Sequence, residues 1–226
     1  MKTKQELIEL GKITQQKILS YLAEFKYSTP KTLEKALNIN YKTLTGALKR
    51  YEKQELITVI EIQAPKTKVV GISWQGLAEL GIIDQTKIFH ESRFNERTLI
   101  HWLQCQNYAI LSRNKGLKCY PAPAQKFASK GRGKTDLIEE RDSFSIGIEI
   151  ERTAKTLNRY AEVWGGHVQA IQNKEIDGVK YVLTTKRAEV VEKIFNKTKI
   201  VLTKDKRKID FEPFKNRFKF IINHDL

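Results

Sequence analysis

The chain has 226 residues, with 41 lysines and arginines against 26 aspartates and glutamates, a formal net charge of +15. At 40% hydrophobic and 30% charged residues it can bury a core, which excludes disorder as its main state. No apolar run approaches the ~20 residues of a membrane helix. Cys105 and Cys119 are too few for a disulfide scaffold and lack the paired spacing of a zinc site. Met1 to Gln5 lacks the apolar core of a signal peptide. These features lead us to expect a cytoplasmic protein.

A basic surplus of this size favours polyanions, because each lysine or arginine that meets a phosphate releases condensed counterions. Up to residue 90 there are 14 basic and 9 acidic residues, and beyond it 27 and 17, so both halves are basic. Arg113 to Lys134 carries no acid at all. A membrane surface is the weaker alternative, since no basic helix with aromatics on its opposite face is evident.

In chain order, Ile13, Ile18, Leu19, Leu22 and Phe25 recur at helical spacing and predict a first helix over 13–25. Thr29 before Pro30 reads as the cap of a second, short helix with Leu33, Ala36 and Leu37 inside. A third helix over 41–54 places Leu44, Ala47, Leu48 and Tyr51 inward. Asn40, Lys42, Thr45, Lys49 and Arg50 are left outward, a polar and positive side. Leu56 to Ile62 and Val69 to Ile72 predict two strands, joined by a turn, Ala64 to Lys68, that carries Lys66 and Lys68. A closing helix at Trp74 and a connection over 84–93 follow. Helix, short helix, helix and hairpin together resemble a winged helix-turn-helix, which implies that the third helix enters a DNA groove and the hairpin touches backbone. The same fold also serves as a scaffold or a protein-binding domain. The expected division is 1–90 for this domain and 91–226 for a second.

In the second part, Phe94 to Leu111 predicts a helix and Lys118 to Ala122 a strand. A basic loop with Lys130, Arg132 and Lys134 then precedes a strand over 135–138 and a charged turn, Glu139 to Asp142. From Phe144 to Glu151 the alternation is strict, so Ser145, Gly147, Glu149 and Glu151 share one face. If this strand pairs with the one carrying Asp136, three carboxylates converge, with Gly147 leaving room beside them. Like charges on one face repel unless a cation neutralises them, and Mg²⁺ suits one or two carboxylates plus water and phosphate oxygens. Lys155 is expected to open a helix over 154–168, sharing a flank with Arg159. Against this stands the plain alternative that Glu149 and Glu151 are the wet face of an edge strand. The Trp164 to His167 segment is expected to end the helix through its glycines. The C-terminal third reads as a helix over 186–195, a strand over 199–202, and a basic aromatic stretch, Phe211 to Ile222, that packs on the core or touches DNA.

The order helix, strand, Asp136 strand, Glu149-Ile150-Glu151 strand, helix with Lys155, then the Val179 to Leu183 strand resembles the PD-(D/E)xK restriction-endonuclease-like core. That family's lysine two residues after the second acid is replaced here by Glu151, with Lys155 as the displaced lysine. The fold class implied is α/β (α+β), a winged helix followed by an αβββαβ core. Thr135-Asp136, Ile148 to Glu151, Lys155 to Tyr160 and Leu99 to Leu103 together resemble the replication-relaxation family, which includes MobC-type plasmid relaxases. The resemblance implies a metal-dependent nickase at a transfer origin. It also implies Asp136, Glu149 and Glu151 holding Mg²⁺ or Mn²⁺, Lys155 stabilising charge, duplex DNA as substrate, and relaxosome accessory and coupling proteins as partners. His90, His101, His167 and His224 do not form the histidine cluster of HUH relaxases. Tyr160 is the tyrosine nearest in sequence to the site, with a core role the alternative to a nucleophile. A non-catalytic DNA-binding regulator and a defence or repair nuclease remain alternative readings of the whole chain.

Overall fold

A computed structural model of the chain describes residues 3–63, 66–122, 135–183, 185–203 and 205–223. The fold is mixed α/β, with sheets of three, five and two strands, and divides into compact units at Met1–Gln106 and Asn107–Leu226. The expected boundary at residue 90 therefore lies inside the first unit. No helix among the described residues is long and apolar enough to cross a membrane.

In the first unit, α1 (Lys4–Phe25) begins nine residues earlier than the expected helix, because Thr3 and Glu6 form a reciprocal capping box. Only its C-terminal half is buried, through Ile18, Leu19, Leu22 and Phe25. After β1 (Tyr27–Ser28), Thr29 caps α2 (Pro30–Leu37), and Asn40 caps α3 (Tyr41–Lys53), whose Leu44, Ala47, Leu48 and Tyr51 are buried as the periodicity requires. The hairpin β2 (Ile57–Gln63) and β3 (Lys66–Ile72) is longer than expected. Lys66 and Lys68 stand on β3 rather than in the turn, where cross-strand pairing gives Lys68 an ion pair with Glu61 at 2.9 Å. Then come α4 (Trp74–Glu79) and α5 (Glu96–Asn114), within which the division between the units falls.

The second unit is built on a five-stranded sheet. Its strands are β4 (Lys118–Pro121), β5 (Leu137–Arg141), β6 (Phe144–Glu151), β7 (Gly178–Leu183) and β10 (Phe218–Ile222), in the order β10-β7-β6-β5-β4. The β4, β5 and β6 strands are antiparallel, while β6, β7 and β10 run parallel, with α6 (Leu157–Gln172) as the crossover from β6 to β7. On the face of the sheet that α6 covers, Tyr160, Trp164 and Val168 pack with Ile138, Val179, Tyr181 and Leu183. Next come α7 (Thr185–Lys197) and a small ladder of β8 (Ile200–Leu202) with β9 (Lys208–Asp210). The C-terminal aromatic stretch joins the core: Phe211 is fully buried and stacked on Trp164, and β10 extends the sheet.

Three expectations are corrected here. Glu139 to Arg141 belong to β5 and not to a turn; the turn is Asp142–Ser143, with Asp142 at φ 52°. The helix after β6 starts at Leu157, because the Thr156 hydroxyl accepts from the Arg159 amide at 3.4 Å, so Lys155 precedes the helix and Leu157 is 52% exposed. Gly165 does not end that helix. A Cβ there would lie 2.0 Å from the Leu202 carbonyl oxygen, so the glycine lets α6 run directly against β8. Gly165→Ala is expected to lower stability by about 1–3 kcal/mol, the usual range for overpacking, in denaturant titrations of the full chain.

Candidate active site

The register of β5 on β6 decides the site. The pairing runs as far as Leu137 opposite Ile148; just beyond it Asp136 leaves the ladder, near enough for its charge to act on Glu149, which lies on the face of the sheet that α6 covers. The Asp136 amide donates to the Ile148 carbonyl at 2.9 Å, and its carboxylate Oδ2 accepts from the Ile150 amide at 2.8 Å. This pair of bonds fixes Asp136 to the end of the ladder. The parallel strand β7 places Tyr181 beside Glu149 and Leu183 beside Glu151. The gap at Gly147 is not vacant space for a ligand, because Thr135 fills it: a Cβ there would meet the Thr135 methyl at 2.5 Å.

Although it lies outside the helix, Lys155 reaches the carboxylates. Its ammonium is paired with Glu151, whose side chain is 3% exposed, and lies 3.9 Å from Glu149 Oε1. Lys155 and Glu151 thus neutralise each other. Glu149 is left differently: its Oε2 is buried and has no hydrogen-bond partner among the described residues. Burial first, then the Asp136 charge, pushes the Glu149 carboxyl well above the ordinary carboxylate range; Lys155 pulls it back and Glu151 adds to the rise. Glu149, Glu151 and Lys155 come together at the end of β6, and the Asp136 charge acts on Glu149. They are not the wet face of an edge strand, since β6 is central in its sheet.

Glu149 has the chemistry that a divalent cation would relieve. A buried carboxylate oxygen without a donor, near a second carboxylate charge, is costly as an anion and is relieved by a hard cation. Glu151 is engaged by Lys155, so Glu149 is the carboxylate that such an ion would relieve. Tyr160 does not suit a nucleophile: it is fully buried, stacked on Trp164 at 4.8 Å between ring centroids, and burial raises its phenol.

The residues expected to meet DNA fall in two groups. On α3 and its cap, Asn40, Lys42, Lys49 and Arg50 are exposed and Thr45 is half-buried. Asn40 and Thr45 have backbone duties: the Asn40 Oδ1 accepts from the Lys42 amide at 3.0 Å, and the Thr45 hydroxyl donates to the Lys42 carbonyl at 3.1 Å. Lys66 and Lys68 lie on β3. Lys130, Arg132 and Lys134 lie outside the described residues.

The sequence reading missed a second charged cluster on the opposite face of the five-stranded sheet. The buried Glu139 accepts from the Tyr108 hydroxyl at 3.0 Å and the Ser112 hydroxyl at 2.7 Å, and is paired with Lys180. A lysine within the otherwise apolar Val179 to Leu183 strand was the available signal. His167 is buried and hydrogen-bonded to the Tyr181 hydroxyl at 3.1 Å. Comparison with protein-family models, with curated proteins and with solved structures finds no match to this chain.

Proposed function

We propose that this chain is a metal-dependent DNA endonuclease whose second unit cleaves a phosphodiester at Asp136, Glu149, Glu151 and Lys155, and whose first unit is a winged helix-turn-helix that reads duplex DNA. The observation that carries this reading is the buried, unpartnered Oε2 of Glu149, a carboxylate that feels the Asp136 charge and whose other oxygen lies 3.9 Å from the Lys155 ammonium. A net charge of +15 and the exposed Lys42, Lys49 and Arg50 on α3 support a nucleic-acid substrate. The order α5, β4, β5, β6, α6, β7 supports the PD-(D/E)xK reading, and the wider resemblance narrows the proposed reaction to one-strand nicking at a plasmid transfer origin.

In this mechanism Mg²⁺ or Mn²⁺, when bound, supplies Lewis-acid polarisation of the scissile phosphate. Asp136 and Glu149 would hold the ion, the first kept in place by the Ile150 amide. Glu151 orients Lys155, and the Lys155 ammonium stabilises negative charge growing on the phosphoryl oxygens. Water is then the attacking group, since Tyr160 is locked in the core.

The test is conversion of supercoiled plasmid to open circles by the purified chain, with Mg²⁺, Mn²⁺ or chelator, on DNA with and without a transfer origin. Metal-dependent nicking confined to origin DNA is the expected result. Nicking without origin preference would remove the relaxase assignment and keep the nuclease. Duplex binding with no nicking under any metal would overturn the catalytic reading and leave a DNA-binding regulator.

A further inference from the structure

The inner line of α1 is used over only half its length. Ile18, Tyr21 and Phe25, all buried, continue backward at alternating steps of four and three residues through Thr14, Gly11 and Leu7. There the line meets water. Leu7 is 58% exposed, Ile8 50%, Leu10 40% and Ile13 43%, so four large aliphatic side chains lie bare within about two helical turns. The helix is nevertheless firmly started by its capping box at Thr3.

Two further observations say what covers this half-helix. A Cβ on Gly11 would meet nothing within 4 Å, although glycine weakens a helix interior and is favoured where another element must approach closely. Leu7, Ile8 and Gly11 line a groove of about 440 Å³ with Tyr51 of α3, and Lys12 and Arg50 stand at its rim. The groove thus asks for an aliphatic side chain accompanied by negative charge. The exposed part of α1 itself offers both, in Leu10 or Ile13 flanked by Glu6 and Glu9. Over residues 4–16 the formal charge cancels, Lys4 and Lys12 against Glu6 and Glu9, in a chain whose total is +15. Two copies repel elsewhere but can meet here.

We infer that residues 4–16 of α1 form the interface of a homodimer, with the Gly11 groove of each copy receiving the exposed aliphatic edge of α1 from the other. The surface is self-complementary in charge, as an isologous contact requires. It involves neither the proposed catalytic residues nor the outward residues of α3 other than Arg50 at the rim.

Sedimentation equilibrium of the full chain without DNA, from low micromolar to near-millimolar concentration, measures this directly. The wild type is expected to approach twice the 26.2 kDa chain mass, with little dependence on salt. Leu7→Glu with Ile8→Glu is expected to leave a folded monomer, since both side chains are exposed. Gly11→Leu gives an independent check. On a free helix it raises the melting temperature, because leucine is the better helix former; in the interface it blocks close approach and shifts the chain to monomer. A wild type that stays monomeric throughout, or a dimer that survives both sets of substitutions, would overturn the inference. Neither outcome depends on whether the chain cleaves DNA.

Discussion

Glu149→Gln is expected to reduce metal-dependent nicking by about 10²–10³-fold, the loss typical of removing one preorganised charge-handling group. The same variant is expected to be at least as stable as wild type without metal. Its carboxylate is buried, lacks a donor on Oε2 and feels the Asp136 charge, so the amide relieves repulsion without changing shape. Thermal melts with and without Mg²⁺ separate the two effects. The wild type is expected to gain about 2.7 kcal/mol at a metal concentration a hundredfold above its Kd, by mass action, and the variant is expected to gain little. Activity lost together with fold would indicate a structural carboxylate. Activity retained would remove Glu149 from the reaction, and with it the assignment of this face.

The site was legible in the sequence to the extent that it rests on period two. Strict alternation from Phe144 to Glu151 put Glu149 and Glu151 on one face, and the pairing of β5 with β6 brought the Asp136 charge within reach of Glu149. What alternation cannot reveal is how far the neighbouring strand runs. Glu139, Glu140 and Arg141 look like a polar turn because their composition is that of one, yet β5 carries all three, since Lys180 comes from β7 to neutralise the charge at Glu139. Lys155 was expected on a helix for the same kind of reason. Its local spacing suits a helix, but Thr156 makes the better cap and moves the start three residues on, leaving the lysine outside the helix and able to reach back to Glu151. Gly165 was read as a helix end because glycine usually ends helices. Its reason lies in β8, far along the chain, where the Leu202 backbone needs the space. Local pattern gave the faces of the elements, and partners distant in sequence set their ends.

The Glu139 cluster allows the sharpest separation of stability from chemistry. Glu139 lies on the opposite face of the sheet from Glu149 and Glu151, and it is buried with Lys180, Tyr108 and Ser112 around it. Glu139→Ala is expected to cost about 3–5 kcal/mol in denaturant titrations, because it strands a partly buried lysine. Replacing both charges, Glu139→Leu with Lys180→Met, is expected to recover most of that loss or exceed wild type, since the desolvation of two ions disappears with their attraction. The pH dependence follows from the same contacts. Burial alone would raise the Glu139 carboxyl, but the Lys180 and Ser112 hydrogen bonds outweigh it and hold the group below its ordinary value of 4.5. A carboxylate depressed in the folded state binds fewer protons there than when unfolded. Its stabilising contribution is therefore present above about pH 4.5 and is lost as pH falls through the lower folded value. The double apolar variant is expected to lack that acid-side loss, so the stability difference between wild type and variant should change sharply below pH 4.5 and stay flat above it. A difference flat across the acid range would mean that Glu139 and Lys180 are not the pair that the Lys180 ammonium and the two hydroxyls make them.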